Sequence, residues 1–307
     1  MRDIPKIPML MILLGGEILA SASVVFIRLS SIDPILLASF RMLVAVVFLL
    51  PFYFRELKRD HKDVVPFSPA EIKPVLVPGL LLGIHFITWI YGARLVPAAN
   101  ASLIVNLTPV ATPFFIYFSA KERVNFLEVL GSLIAILGCF LLARGDFSMD
   151  RQYFLGDLVI FSAMLTFALY QVYAKKRMTG LWRYMVPLYL VGGLFCLIVA
   201  IFTGASFLNW TAHDVIAIFG LSLLSTIGGH SIFNLAMKHL RGQIVSVFHT
   251  TQFIYAGIMA FFILREVPGR SFLLVAPIIL TGLFITISGQ WKIPGRKRPE
   301  KETSHVK

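Results

Sequence analysis

Apolar runs long enough to cross a bilayer recur along this chain, separated by short polar or basic stretches. A spanning helix takes about 20 apolar residues, and ten segments meet that length: 7–27, 34–54, 74–95, 98–118, 126–143, 155–173, 184–202, 215–237, 244–264 and 272–288. The pattern predicts an all-α membrane protein of ten transmembrane helices. The longest polar connection, 55–73, holds charges of both signs with Pro66 and Pro69 and reads as a solvated loop. The stretch 291–307 is basic and without periodicity, and reads as a cytoplasmic tail beside lipid headgroups. Pro109 and Pro113 are expected to bend the fourth helix and free backbone carbonyls there.

Composition supports lipid as the solvent. Of 307 residues 57% are hydrophobic and 14% charged, with a mean hydropathy of +0.81; one soluble core could not bury so much apolar surface. The net charge of +12 would suggest nucleic acid in a soluble protein. Here the basic residues fall between apolar runs, which makes them topology signals and anionic-lipid contacts, so nucleic acid is not an expected partner. Arg2 and Lys6 precede a long apolar stretch that reads as a first spanning helix rather than a removable signal. Lys and Arg number 21 in the amino-terminal segment, the even-numbered connections and the tail, against 6 in the odd-numbered connections. That bias places both termini in the cytoplasm. Cys139 and Cys196 lie inside apolar runs, as small buried hydrophobes do, and neither a disulfide nor a metal site is expected.

Displacing the chain by 144 positions pairs Ser102 with Ser246, Glu122 with Glu266, Gly138 with Gly282 and Phe140 with Phe284, and brings together basic residues at Arg94 and Lys238 and at Lys121 and Arg265. Each half thus ends in a helix, a charged hinge and a helix, giving repeats over 1–150 and 151–290, followed by the tail 291–307. Five helices is an odd number, so the second repeat is inverted relative to the first, an architecture that many secondary transporters use around a central site.

The order of several short motifs resembles the EamA-type branch of the drug/metabolite transporter superfamily. They are Ala20-Ser21-Ala22-Ser23 through Arg28, Ala38-Ser39-Phe40-Arg41, Leu107-Thr108-Pro109 with Pro113, and the Lys121-Glu122-Arg123 and Leu264-Arg265-Glu266 hinges. The resemblance spans residues from about 9 to 290. It implies two inverted five-helix repeats around a central cavity lined mainly by helices 1, 3, 4, 6, 8 and 9. It also implies an exporter of amino acids or related small metabolites in a prokaryotic cytoplasmic membrane.

Ionisable groups inside a membrane cost about 2.5 to 3.5 kcal/mol each on insertion scales, so they face the bundle interior or water. Glu17, near mid-depth in helix 1 after Gly15-Gly16, reads as a counter-ion for a substrate ammonium, as a proton carrier, or as a partner for Arg41 or a histidine. Arg41 in helix 2 stays charged and either caps and pairs within the bundle or binds a substrate carboxylate. His85 and His230 fall one position apart under the displacement and are candidates for opposite sides of one cavity, as proton relays or as interhelical hydrogen-bonding groups. Trp89 stands four residues from His85, on the same helix face. Asn106, Tyr170, Asn234, His249 and Gln252 complete a set that suits a zwitterionic or aromatic-bearing solute, the alternative being interhelical glue.

The expected activity is secondary transport of small organic metabolites by alternating access, with protons as a candidate coupling ion. No catalytic residue, metal or cofactor is expected: nothing resembles an intramembrane nucleophile, paired aspartates, a zinc-binding His-Glu-x-x-His or a Walker motif. The competing reading is a membrane scaffold or receptor subunit. The substrate and the oligomeric state are not legible at this stage.

Overall fold

The structure is a computed structural model and describes residues 6–60, 65–120, 124–149, 151–175, 180–208, 210–240, 245 and 248–291. Among the described residues all regular structure is helical. Ten spans follow in order: α1 (Lys6–Ser21 and Ser23–Leu29), α2 (Pro34–Asp60), α3 (Pro69–Leu95), α4 (Ala98–Val105 and Thr108–Ala120), α5 (Phe126–Met149), α6 (Arg151–Lys175), α7 (Leu181–Phe202), α8 (Ala212–Phe219, Gly220–Ser231 and Ile232–His239), α9 (Gln252–Met259 and Ala260–Leu264) and α10 (Arg270–Trp291). All ten expected segments are helical in their described parts. Most of the 291–307 tail and the Lys121-Glu122-Arg123 hinge lie outside the described residues.

Two departures from the sequence pattern and one expected break have local causes. The solvated loop expected over 55–73 is mostly helix, because α2 runs on to Asp60 and α3 starts at Pro69. Lys58 and Arg59 complement the carboxyl end of α2, and Pro69 with Glu71 suits the first turn of α3. Helix α4 breaks at Asn106 and Leu107, one turn ahead of Pro109, whose ring nitrogen cannot donate to the carbonyl four residues back. In α8 the stretch Gly220–Ser231 widens into a π-helix, a form concentrated at functional sites.

The helices pack in a twofold pattern. α3 lies against α6 as α8 lies against α1, α3 against α7 as α8 against α2, and α4 against α6 as α9 against α1. The pairs α2 with α7, α4 with α9 and α5 with α10 map onto themselves and so flank the pseudo-axis. Connections gather at alternate ends. At one end the Ser30 and Ser31 hydroxyls donate to the Asp214 carboxylate at 2.9 Å each, joining the α1–α2 turn to the start of α8. At the other, Glu56 of α2 accepts from the Trp182 and Arg183 backbone N–H groups at 2.7 and 3.0 Å, and the Asn125 amide donates to the Gly289 carbonyl at 3.0 Å. Successive spans therefore alternate in direction, and five per half makes the halves inverted.

Without a hydrophobic drive between helices in lipid, close approach of small residues supplies the packing. α5 and α10 meet through Gly131 and Gly282; a Cβ on Gly131 would collide with the Gly282 carbonyl and Thr286, and one on Gly282 with the Ala135 backbone. Gly257 in α9 instead has room for a methyl group, its nearest neighbour being the Ala99 Cβ at 3.8 Å. Gly282→Val is therefore expected to destabilise the fold by about 1 to 3 kcal/mol through overpacking. Gly257→Ala should stay within about 0.5 kcal/mol of the parent. Thermal unfolding of the two purified variants in detergent measures the difference, and equal midpoints would refute the α5–α10 contact.

Candidate functional site

The centre of the bundle is built around two rings, Phe86 of α3 and Phe167 of α6. The His230 imidazole stands edge-on to both, with centroids 5.2 Å from Phe86 and 5.5 Å from Phe167. His85 stacks on Phe167 at 4.6 Å, and His249 lies over the same ring at 5.8 Å, with Phe233 of α8 tilted against His249 at 4.6 Å. Phe167 is therefore the hub that brings three histidines from α3, α8 and the start of the α9 span into one cluster.

A charged group sits on each flank. Arg41 is fully buried, with its guanidinium carbon 3.9 Å from the centroid of Phe86, a cation–π contact. Its Nε and Nη2 donate to the Thr226 hydroxyl at 3.1 and 3.0 Å, inside the π-helical stretch of α8, while Nη1 has no hydrogen-bond partner among the described residues. On the other flank Glu17, 1% exposed, accepts a short hydrogen bond from the Gln252 amide through Oε2, with His249 Nδ1 3.4 Å from the same oxygen. Gln252 Nε2 also lies 3.0 Å from His249 Nδ1, and Glu17 Oε1 has no partner. Ser21 reinforces this corner: its hydroxyl contacts the Glu17 and Gln252 carbonyls at 2.7 and 3.1 Å.

The structure thus separates the sequence candidates. Glu17, Arg41, His85, His230, His249 and Gln252 belong to this chain of contacts, and Glu17 takes a histidine rather than Arg41 as its neighbour. Tyr170 and Asn234 adjoin it: the Tyr170 hydroxyl reaches the Asn234 side-chain oxygen at 3.4 Å, Asn234 donates to the His230 carbonyl at 2.8 Å, and Tyr170 packs against Phe167. Trp89 shares a helix face with His85 but points to α1, donating to the Ser23 hydroxyl at 3.1 Å, while His85 engages the Ala163 carbonyl of α6 at 2.8 Å. Asn106 is spent locally, its amide donating to the Ser102 carbonyl at 2.8 Å where α4 breaks. Phe86, Phe167, Thr226 and Tyr189 were not legible as site residues. The first two are phenylalanines among many in apolar spans, and the cluster of hydroxyls at Ser222, Ser225 and Thr226 is the one sequence signal near the third. Tyr189 of α7 donates to the Thr226 carbonyl at 3.3 Å. Thus α2 and α7, absent from the lining set implied by the family resemblance, both reach the centre. Among the described residues no group of three His, Cys, Asp or Glu side chains is arranged to hold a metal.

Removing the hydroxyl that holds Arg41 tests this geometry. Thr226→Val conserves volume while leaving the guanidinium short of its acceptor, so stability should fall by about 1.5 to 3 kcal/mol, the range for hydrogen bonds to charged groups. Unfolding in detergent reads it. A midpoint equal to the parent's would show that Arg41 is held elsewhere.

Comparison with known proteins places this architecture. The EamA-like transporter family matches the chain twice, over residues 6–144 and 154–288. Curated relatives include an S-adenosylmethionine uptake transporter of Rickettsia bellii, 23% identical over 265 residues, covering 85% of this chain and 86% of that protein. An uncharacterized transporter of Methanothermobacter thermautotrophicus is 26% identical over 284 residues, covering 86% and 81%. A solved crystal structure that is 15% identical shares the fold with a TM-score of 0.64, over 92% of this chain and 98% of the other. With its ten-helix architecture and its two family matches, the chain belongs to the EamA-like transporter family and is a multi-pass membrane transporter.

Proposed function

We propose that this protein is a secondary transporter of small zwitterionic metabolites of the amino-acid class, bound between Glu17 and Arg41 and moved by alternating access of the two halves. One observation carries the reading. Glu17 and Arg41 are buried, opposite in charge, not paired with each other, and each keeps one hydrogen-bonding atom without a partner among the described residues. A buried charge is held only where something compensates it. A solute ammonium at Glu17 Oε1 and a solute carboxylate at Arg41 Nη1 would supply both partners at once, and the rings of Phe86 and Phe167 offer flat apolar surface to the remainder. S-adenosylmethionine, named for relatives in Rickettsia, carries a sulfonium and an aromatic base beside an amino-acid head, and that head presents the same ammonium and carboxylate.

The two ends of the bundle support alternating access. Where α1, α8 and the stretch before α9 meet, Met9, Leu13, Phe233, Ala236 and Val245 form a buried apolar cluster. At the opposite end of the bundle, among the ends of α3, α4 and α6, a polar cleft of about 470 Å³ is lined by Arg94, Pro97 and Tyr153. Apolar packing at one end and a cleft at the other are what a carrier in one of its two states presents, and inverted halves allow the two ends to exchange roles. The distribution of Lys and Arg supports cytoplasmic termini in a prokaryotic cytoplasmic membrane, with the cleft on the outer side. Export is the direction that the family resemblance favours.

Counterflow in proteoliposomes, against amino acids, S-adenosylmethionine, nucleosides, sugars and organic cations, tests the reading. Amino-acid-type solutes should exchange, their N-acetylated forms should not, and Glu17→Gln should lower exchange at least about tenfold, the equivalent of about 1.4 kcal/mol. Equal exchange of free and N-acetylated forms would overturn the zwitterion reading. If Glu17 also carries the coupling proton, Glu17→Gln abolishes the response to an imposed pH gradient; an unaltered response assigns coupling elsewhere. Loading solute on one side only, in oriented vesicles, separates export from uptake.

A further inference from the structure

At the end of the bundle where α1 and α3 finish, two arginines clasp each other's helices. Arg28 donates to the Arg94 carbonyl at 3.3 Å and, through a short bond, to the Val96 carbonyl; Arg94 donates to the Ile27 carbonyl at 3.3 Å. Among the described residues, the one carboxylate in the cleft they line belongs to Glu266. It lies 3.6 Å from Arg28 and accepts from the Ala98 N–H at 2.9 Å, rather than pairing with its chain neighbour Arg265. Arg265 itself adopts a left-handed conformation as it ends α9. Arg94 makes no ion pair among the described residues, and Arg28 Nε and Arg94 Nη2 have no hydrogen-bond partner. Asp33 and Asp214 act on Arg94 electrostatically, but neither lines the cleft, and both are engaged: Asp33 caps α2, and Asp214 accepts from Ser30, Ser31 and Thr211. Two guanidinium groups thus share one carboxylate.

This cleft continues into a second depression of about 470 Å³ that runs down the α3–α6 seam, the two sharing Leu95 and Gln152. The second is apolar, and three of its walls, Tyr91, Leu155 and Leu158, are about half exposed on a surface that faces hydrocarbon in a bilayer. Two guanidiniums facing one carboxylate within the cleft, leading into an apolar trough along the helix axes, have the polarity and orientation of one phospholipid.

We propose that this composite groove binds a single anionic phospholipid, with its phosphate against Arg28 and Arg94 and one acyl chain along Tyr91, Leu155 and Leu158. Basic pockets between spanning helices recognise anionic headgroups by charge. The trough distinguishes this ligand from a soluble phosphate, which would fill the cleft and leave the apolar seam untouched. Arg28 follows Glu17 by about three turns along α1, so the headgroup contacts are distinct from those proposed for the solute.

Native mass spectrometry of the full, delipidated chain in detergent tests the proposal, with phosphatidylglycerol and phosphatidylcholine of identical chains competing. The parent should retain one phosphatidylglycerol with a roughly fivefold preference, the ratio that one arginine contact at an anionic headgroup gives. Arg94→Gln should remove that preference, and Leu158→Trp, which fills the trough from the lipid-facing side, should lower binding of both lipids. Should Arg94→Gln fail to fold, Leu158→Trp still decides whether the trough holds the chain. Equal retention of the two lipids by the parent, competition by glycerol phosphate as effective as by the lipid, or unchanged binding in Leu158→Trp would each overturn the assignment.

Discussion

A guanidinium that stays charged inside a bilayer-spanning helix is the constraint on which the centre of this protein depends. Arg41 cannot shed its proton at accessible pH, and burial of a charge at membrane depth costs about 2.5 to 3.5 kcal/mol even on the most lenient scales. The Thr226 hydroxyl and the face of Phe86 offset part of that cost. Two N–H groups share one oxygen, so the hydroxyl contributes less than two separate acceptors would. Holding Thr226 within reach draws the π-helical stretch of α8 toward α2, and the same stretch carries His230 to the Phe86 and Phe167 rings. From there the chain of contacts runs through Phe167 and His249 to Glu17.

The inverted halves do the same job at opposite ends with different residues. Glu71, at the start of α3, accepts from the Tyr53 hydroxyl and binds the Arg183 guanidinium of α7 at 3.0 Å. Asp214, at the start of α8, binds the turn that leads into α2. The two carboxylates fall one position apart under the 144-residue displacement, and each ties its own half to the other. These polar clasps can be exchanged for water at the membrane surface. The α5–α10 contact cannot be, because backbone meets backbone there in a medium without hydrogen-bonding solvent. Parts that can move and a part that must stay packed are therefore separated along the pseudo-axis.

The ten spans were legible because hydropathy reports the solvent of a whole helix, and lipid demands about 20 apolar residues. So was the break in α4, since Pro109 removes a specific donor. Which face of a span points inward was far less legible. In water an amphipathic stripe marks the buried side, but here both the bundle interior and the lipid are apolar. Phe167, the hub of the cluster, is thus indistinguishable in sequence from Phe140, which faces outward at 61% exposure. Polar residues were conspicuous, but sequence alone could not divide those that reach across the centre, such as Gln252, from those that bond their own helix, such as Asn106. The partner of Glu266 escaped notice for a related reason. Its neighbour Arg265 is adjacent in the chain, yet the left-handed turn separates them and brings Glu266 to Arg28.

On the proposed reading, incomplete satisfaction of Glu17 and Arg41 answers what a carrier has to do when empty. A binding site whose charges were wholly uncompensated would oppose the return of the unloaded protein, because the cost of each bare charge would be borne throughout the cycle. A site whose charges paired directly with each other would have little to offer a solute. Here Gln252 and His249 hold one oxygen of Glu17, and Thr226 and Phe86 hold most of Arg41, leaving one atom of each for a ligand. On the proposed reading, the solute gains only the difference between a partly and a fully satisfied pair of charges. That difference confers selectivity for a zwitterion and remains small enough for release on the far side.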